Sequence, residues 1–148
     1  MAFIGRIIVI AFAVMVASIA AGMAIAIGLL GPEWHGLTGD FGERAGFWML
    51  AFVGASFTGA VGLLPLVILI AIAESFKIRS LLANTAAGAA MLLLGYYASG
   101  FARPNFEESI DRAPPPISRE AEIAAAAGAT FGLIYWAIAG RRAGRWRE

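Results

Sequence analysis

The chain has 148 residues, 60% of them hydrophobic and 14% charged, with no cysteine and a formal net charge of +1. An ordinary soluble domain carries about 45–50% apolar residues, glycine included, and about 25% charged ones. This balance excludes a disordered chain, a disulfide-stapled secreted domain and a nucleic-acid binder, and directs the reading to a small integral membrane protein.

The charges cluster between long uncharged runs, Ile7–Leu30, Ala45–Ala73, Ser80–Ala102 and Ile123–Gly140, which hold 24, 29, 23 and 18 residues. A spanning helix needs about 20 apolar residues, because each adds about 1.5 Å against about 30 Å of hydrocarbon. None of the runs alternates at every second residue, as strands of a membrane barrel would. The expected fold is therefore all-α, one transmembrane bundle of four helices covering 1–148. Its spans lie at about 7–30, 45–73, 80–102 and 121–140, with an outer loop over 103–120.

The first run follows Arg6, as a secretory signal would follow its basic start. Its length exceeds the roughly 7–15 apolar residues of a signal core, so it reads as a retained helix. Along it Ala13, Ala17 and Ala21 recur at four-residue spacing, with Ser18, Gly22 and Ala26 beside them. Small residues let helix backbones approach in lipid, where no hydrophobic push brings helices together. Trp34 and Trp48 flank the outer ends of helices one and two, where indole rings favour the headgroup layer. His35 beside Glu33 and Asp40 could bind a metal from the outer loop, but one histidine among loop carboxylates does not make a ligand set, and no metal site is expected.

The second run repeats the small-residue pattern at Ala55 and Gly59, and is longer than a bilayer requires. Pro65 removes a hydrogen bond to Val61, so a kink or a tilt is expected there. A substrate-binding break of the kind found in transporters is the alternative. Glu74 closes this helix, where a negative charge opposes the helix dipole. With Lys77 and Arg79 close behind, it reads as an ion-paired turn fixing the angle between helices two and three. A proton or cation acceptor at the inner mouth is the functional alternative.

Helix three carries Asn84, placed to hydrogen-bond across to a neighbouring helix, and small pairs at Ala83 with Ala87 and Asn84 with Gly88. Tyr96, Tyr97 and Phe101 close its outer end. Pro114, Pro115 and Pro116 stiffen the following loop. Ser118 is then the expected N-cap of helix four, with Glu120 and Glu122 at its positive end and Arg141 and Arg142 at the other. Within helix four, Gly128 and Gly132 form a GxxxG pair. The motif does not say whether its partner belongs to the same chain. Thr85, Thr130, Ser56 and Thr58 are expected to bond back to their own helices. Trp136 and Trp146 mark the inner end, and Arg141, Arg142, Arg145 and Arg147 are candidates for contact with anionic lipid headgroups.

Orientation follows from the basic residues. Arg6, Lys77, Arg79 and the four C-terminal arginines fall on one side, against Arg44, Arg103, Arg112 and Arg119 on the other. Positive residues stay cytoplasmic, so both termini are expected inside. None of the four runs contains an ionisable residue, which argues against proton relays and ion-coupled transport. No catalytic residue, cofactor or metal ligand set emerges from the spacing.

Two stretches carry a resemblance. One is Leu64-Pro65 followed by Ala73-Glu74-Ser75-Phe76-Lys77-Ile78-Arg79-Ser80; the other is Gly132-Leu133-Ile134-Tyr135-Trp136-Ala137-Ile138-Ala139-Gly140-Arg141. Both resemble a group of small uncharacterised four-span proteins of bacterial inner membranes. That resemblance implies the same four-span layout and brings no assigned activity. The chain departs from the small multidrug transporters, whose carboxylate in the first helix has no equivalent in Ile7–Leu30. The expected function is non-catalytic helix association, as an accessory subunit of an inner-membrane complex or as a homo-oligomer. Its partners would be membrane lipids and other membrane subunits or itself, and not nucleic acid. The alternative is a small transporter or channel for a weakly polar or lipidic solute.

Overall fold

The computed structural model describes residues 3–31, 39–100 and 117–144, and every regular element among them is helical. Four long helices follow in order: α1 (Phe3–Leu30), α2 (Phe41–Ser75), α3 (Leu81–Ala98) and α4 (Arg119–Ile138), with a 3-10 turn at Gly140–Arg142. Three of the helices begin on a side-chain cap. Asp40 accepts from the backbone N–H of Glu43, Ser80 from Ala83 and Ser118 from Ala121, each satisfying a donor that the first turn leaves free. The Ser118 cap and the acidic first turn at Glu120 and Glu122 are as expected.

The helices do not stop where the charges begin. α1 starts at Phe3 and α2 runs from Phe41 to Ser75, so both take in charged residues that the uncharged runs left outside. α3 is shorter than its run, ending at Ala98, where Gly100 turns the chain at φ 73°. The outer-loop residues 103–116, with Trp34, His35, Arg145, Trp146 and Arg147, lie outside the described residues.

In cross-section the neighbours run α2, α1, α4, α3. The α3–α4 pair makes the most extensive contact, α1 packs on both α2 and α4, and α2 barely touches α3. Small residues make the close crossings. Ala13, Ala17, Ala21, Ala26 and Ala127 are fully buried, whereas Ile8, Phe12, Met15 and Ile19 of α1 turn outward. A Cβ on Gly22 would lie 2.6 Å from the backbone nitrogen of Ala55, which fixes the α1–α2 separation. The GxxxG pair finds its partner within the chain. A Cβ on Gly128 would lie 2.8 Å from the Cα of Ala89, and one on Gly132 would lie 2.9 Å from the Cα of Thr85.

Pro65 lies inside α2, and the segments Phe41–Ala60 and Pro65–Ser75 meet at 65°. The missing N–H and the ring's clash with the preceding turn account for the bend. The first segment lies along α1. The second returns toward the core, where Leu66 joins Met91, Leu92, Phe131 and Tyr135. Three helices (α1 from Ile4, α3 and α4) are long and apolar enough to cross a membrane, and the bent α2 would make a fourth.

The glycine crossings give a direct test. Gly88→Ala places its methyl against the α4 backbone, 2.9 Å from the nitrogen of Gly132, and should cost about 1–3 kcal/mol as overpacking. Gly59→Ala, whose Cβ meets nothing within 4 Å, should be neutral or stabilising by up to about 1 kcal/mol. Equilibrium unfolding of the two variants in mixed micelles measures the difference.

Candidate functional site

The most polar buried cluster lies where the start of α1, the end of α2 and the segment after α4 meet. Arg6 and Glu74 are only 4% and 8% exposed, and they form a salt bridge. The Arg6 Nε donates to Glu74 Oε1 at 3.0 Å, and its terminal nitrogen donates both to that oxygen and, at 2.9 Å, to the carbonyl of Ala139. The other carboxylate oxygen, Oε2, accepts from the backbone N–H of Gly144 at 2.8 Å. One charge pair thus ties three segments that are far apart in sequence.

Local backbone chemistry places these groups. After Ser75 the chain caps α2 in a Schellman pattern, with Ile78 N–H donating to the Ala73 carbonyl at 2.8 Å. Lys77 takes the left-handed position at φ 54°, which favours glycine and costs a lysine about 1–2 kcal/mol. That turn keeps Glu74 inward and starts α3 almost at once. On the other side Gly144, at φ 75°, folds the tail back over Lys77 and the end of α2.

Two further bonds close the same end. Arg79 Nε donates to the Ala143 carbonyl at 3.1 Å, and the Trp136 indole donates to the Arg79 carbonyl at 2.8 Å. The Arg141 guanidinium lies over the Trp136 ring, 4.6 Å from its centroid, a cation–π contact. Trp136 therefore joins the C-terminal turn to the α2–α3 connection, beyond its expected place at the headgroup layer. Arg141 and Arg142 are exposed.

Several expectations change. Glu74 finds its ion-pair partner in Arg6, 68 residues upstream, so it fixes α1 and the tail to α2 and does not act as a local turn with Lys77 and Arg79 alone. The uncharged run Ile7–Leu30 begins one residue after Arg6, whereas α1 begins at Phe3 and contains that arginine. The signal for the pair was topological: antiparallel helices one and two bring the start of one beside the end of the other. Asn84 does not reach across to a neighbour; its Nδ2 donates to the Ser80 carbonyl at 2.8 Å, within the first turn of its own helix. Ser56, Thr58 and Thr130 do bond back, to Phe52, Gly54 and Ala126. Thr85, expected to do the same, does not: its buried hydroxyl has no hydrogen-bond partner among the described residues.

Pro65, Gly128 and Gly132 remain away from this cluster, the first at the bend and the others at the α3–α4 crossing. Beside the ion pair, the opening between α2 and α3 forms a small apolar groove of about 100 Å³, bordered by Leu66, Ile70, Ala83, Ala87, Met91 and Tyr135. At the other end of the molecule a larger apolar cavity, about 340 Å³, is bordered by all four helices. Comparison of the chain with models of known protein families, with curated proteins and with solved structures finds no match. Fold and site thus define an all-helical chain with three, or with the bent helix four, membrane-length apolar helices, pinned at one end by a buried ion pair.

Removing one member of a buried pair leaves the other charge unpaired. Glu74→Ala should lower unfolding stability by about 3–5 kcal/mol, while replacing both residues (Arg6→Met with Glu74→Leu) should recover most of it. Chemical unfolding in micelles measures the stability. Limited proteolysis reads whether the tail near Gly144 is released by the single change.

Proposed function

We propose that the chain is an integral protein of a bacterial inner membrane, with four spans and both termini in the cytoplasm, related to the small four-span proteins it resembles. It works without catalysis, through association, as an accessory subunit or a homo-oligomer. The observation that carries the membrane reading is the distribution of side-chain size. Alanine and glycine fill the helix crossings, while Ile8, Phe12, Ile19, Phe52, Ile68 and Leu94 are each at least about half exposed. Water would drive those large groups inward; hydrocarbon solvates them where they are and leaves backbone contact to hold the bundle.

The orientation rests on charge. Arg6, Lys77, Arg79, Arg141 and Arg142 gather at the end of the ion pair, and the cytoplasmic excess of basic residues assigns that end inside. Exposed Arg141 and Arg142 suit contact with anionic headgroups there. Gly22, Gly88, Gly128 and Gly132 are used in crossings within the chain, whereas Ala83 and Ala87 border the α2–α3 opening, so a partner would meet that opening, where the bundle's own contacts are fewest. The two apolar recesses in that opening favour, as the second reading, passage or binding of a lipidic solute.

The chain has no cysteine, so single substitutions report cleanly. Arg142→Cys should be labelled by an impermeant maleimide only from the cytoplasmic side, and Phe41→Cys only from outside. Protein extracted in mild detergent should have a mass above one 15.5 kDa chain, through a second copy or a co-purified subunit. A lone chain that instead carries solute across vesicles, with flux reduced by Glu74→Gln, would favour the second reading.

A further inference from the structure

The outer cavity lies between α2 and α3, over a floor made by α1 and α4. Its walls are apolar: Ile25 and Leu29, Val53 and Phe57, Leu92 and Ile123. α2 packs on α1 and α3 packs on α4, while α2 and α3 make little contact with each other, which leaves the space between them. Water would find few hydrogen-bond partners there, so the cavity suits an apolar occupant, and its volume of about 340 Å³ lies at the low end of the range of ordinary ligand sites.

Among the described lining residues, charge stands only at one end. Glu120, in the first turn of α4, borders the cavity, and it is exposed. The neighbouring Arg119 is steadied by a 3.0 Å hydrogen bond from its guanidinium to the Gly28 carbonyl, beside the cavity residue Leu29. Glu120 at the border of the cavity and Arg119, the residue before it, held on the Gly28 carbonyl, offer opposite charges at one end that match the ammonium and phosphate of a zwitterionic amine headgroup. An anionic headgroup without an amine would leave Glu120 facing like charge.

We propose that this cavity holds one acyl chain of an amine-bearing glycerophospholipid, with the headgroup ammonium at Glu120 and its phosphate at Arg119. This site rests on the membrane reading above. The chain enters sideways through the α2–α3 opening, and the headgroup remains at the outer end of α4.

The test uses the full chain reconstituted in nanodiscs of equal phosphatidylethanolamine and phosphatidylglycerol, then released into native mass spectrometry. Wild type should retain one phosphatidylethanolamine in preference to phosphatidylglycerol. Glu120→Gln, an exposed change, should reduce that preference about twofold to fivefold, the scale of an exposed ion pair. Val53→Trp, which fills the cavity from α2, should lower retention of both lipids. Equal retention of the two lipids, or a preference that Glu120→Gln leaves intact, overturns the proposal. So does a second copy of the chain or this chain's own 103–116 segment cross-linking to Val53 in place of lipid. Failure to enter nanodiscs at all would instead overturn the membrane reading, which separates the two claims.

Discussion

Where α3 crosses α4, carbonyl oxygens of Asn84, Gly88 and Gly128 occupy the space that side chains would need on Gly132, Gly128 and Gly88. The contact is backbone against backbone, and its range is set by the absence of Cβ atoms. Dispersion between many close atom pairs holds such a crossing, each pair contributing only about 0.1–0.2 kcal/mol. The rest of the bundle builds on it. α4 presents Ala127, Phe131 and Tyr135 to the shared core, and the alanine face of α1 closes over them with Ala13, Ala17 and Ala21. Because small residues take the inner face of α1, its large aliphatic side chains Ile8, Met15 and Ile19 lie on the outside.

α2 has no comparable hold on α3, and polar chemistry supplies one at its end. The bend at Pro65 carries Leu66 back to the core, and the Arg6–Glu74 pair then anchors the last turn to α1 and the tail. A carboxylate at a helix C-terminus is unfavourable by itself. Here it accepts from Arg6 and from the Gly144 N–H, so the local conflict is resolved by contacts from distant segments. Arg79, Ala143 and Trp136 add bonds that require the same tail path. Both apolar recesses lie in the α2–α3 opening that this arrangement leaves.

Much of the architecture is legible in the residues. Uncharged length marks four helices, Ser118 marks the start of α4, and four-residue spacing of alanine marks the inner face of α1. What spacing does not name is a partner: Gly128 and Gly132 predict a close crossing, but only the fold shows that Asn84, Thr85 and Gly88 receive it. An uncharged run ends at its first charge, so it does not show Arg6 as part of α1, although a helix tolerates an arginine in its first turn when a carboxylate such as Glu74 pairs with it. Asn84 misled because its amide can satisfy itself on the Ser80 carbonyl at the helix start, where that carbonyl is within reach. The bend's angle, and hence the cavities, depend on which neighbours α2 meets on each side of Pro65.

Nitroxide scanning of the outward residues of α1 tests most directly whether hydrocarbon is the medium around this bundle. Spin labels at Ile8, Phe12, Met15 and Ile19 in reconstituted protein should collide often with oxygen and rarely with a water-soluble nickel chelate, with the greatest contrast toward the middle of the helix. Free access of the nickel reagent to all four positions would contradict the account.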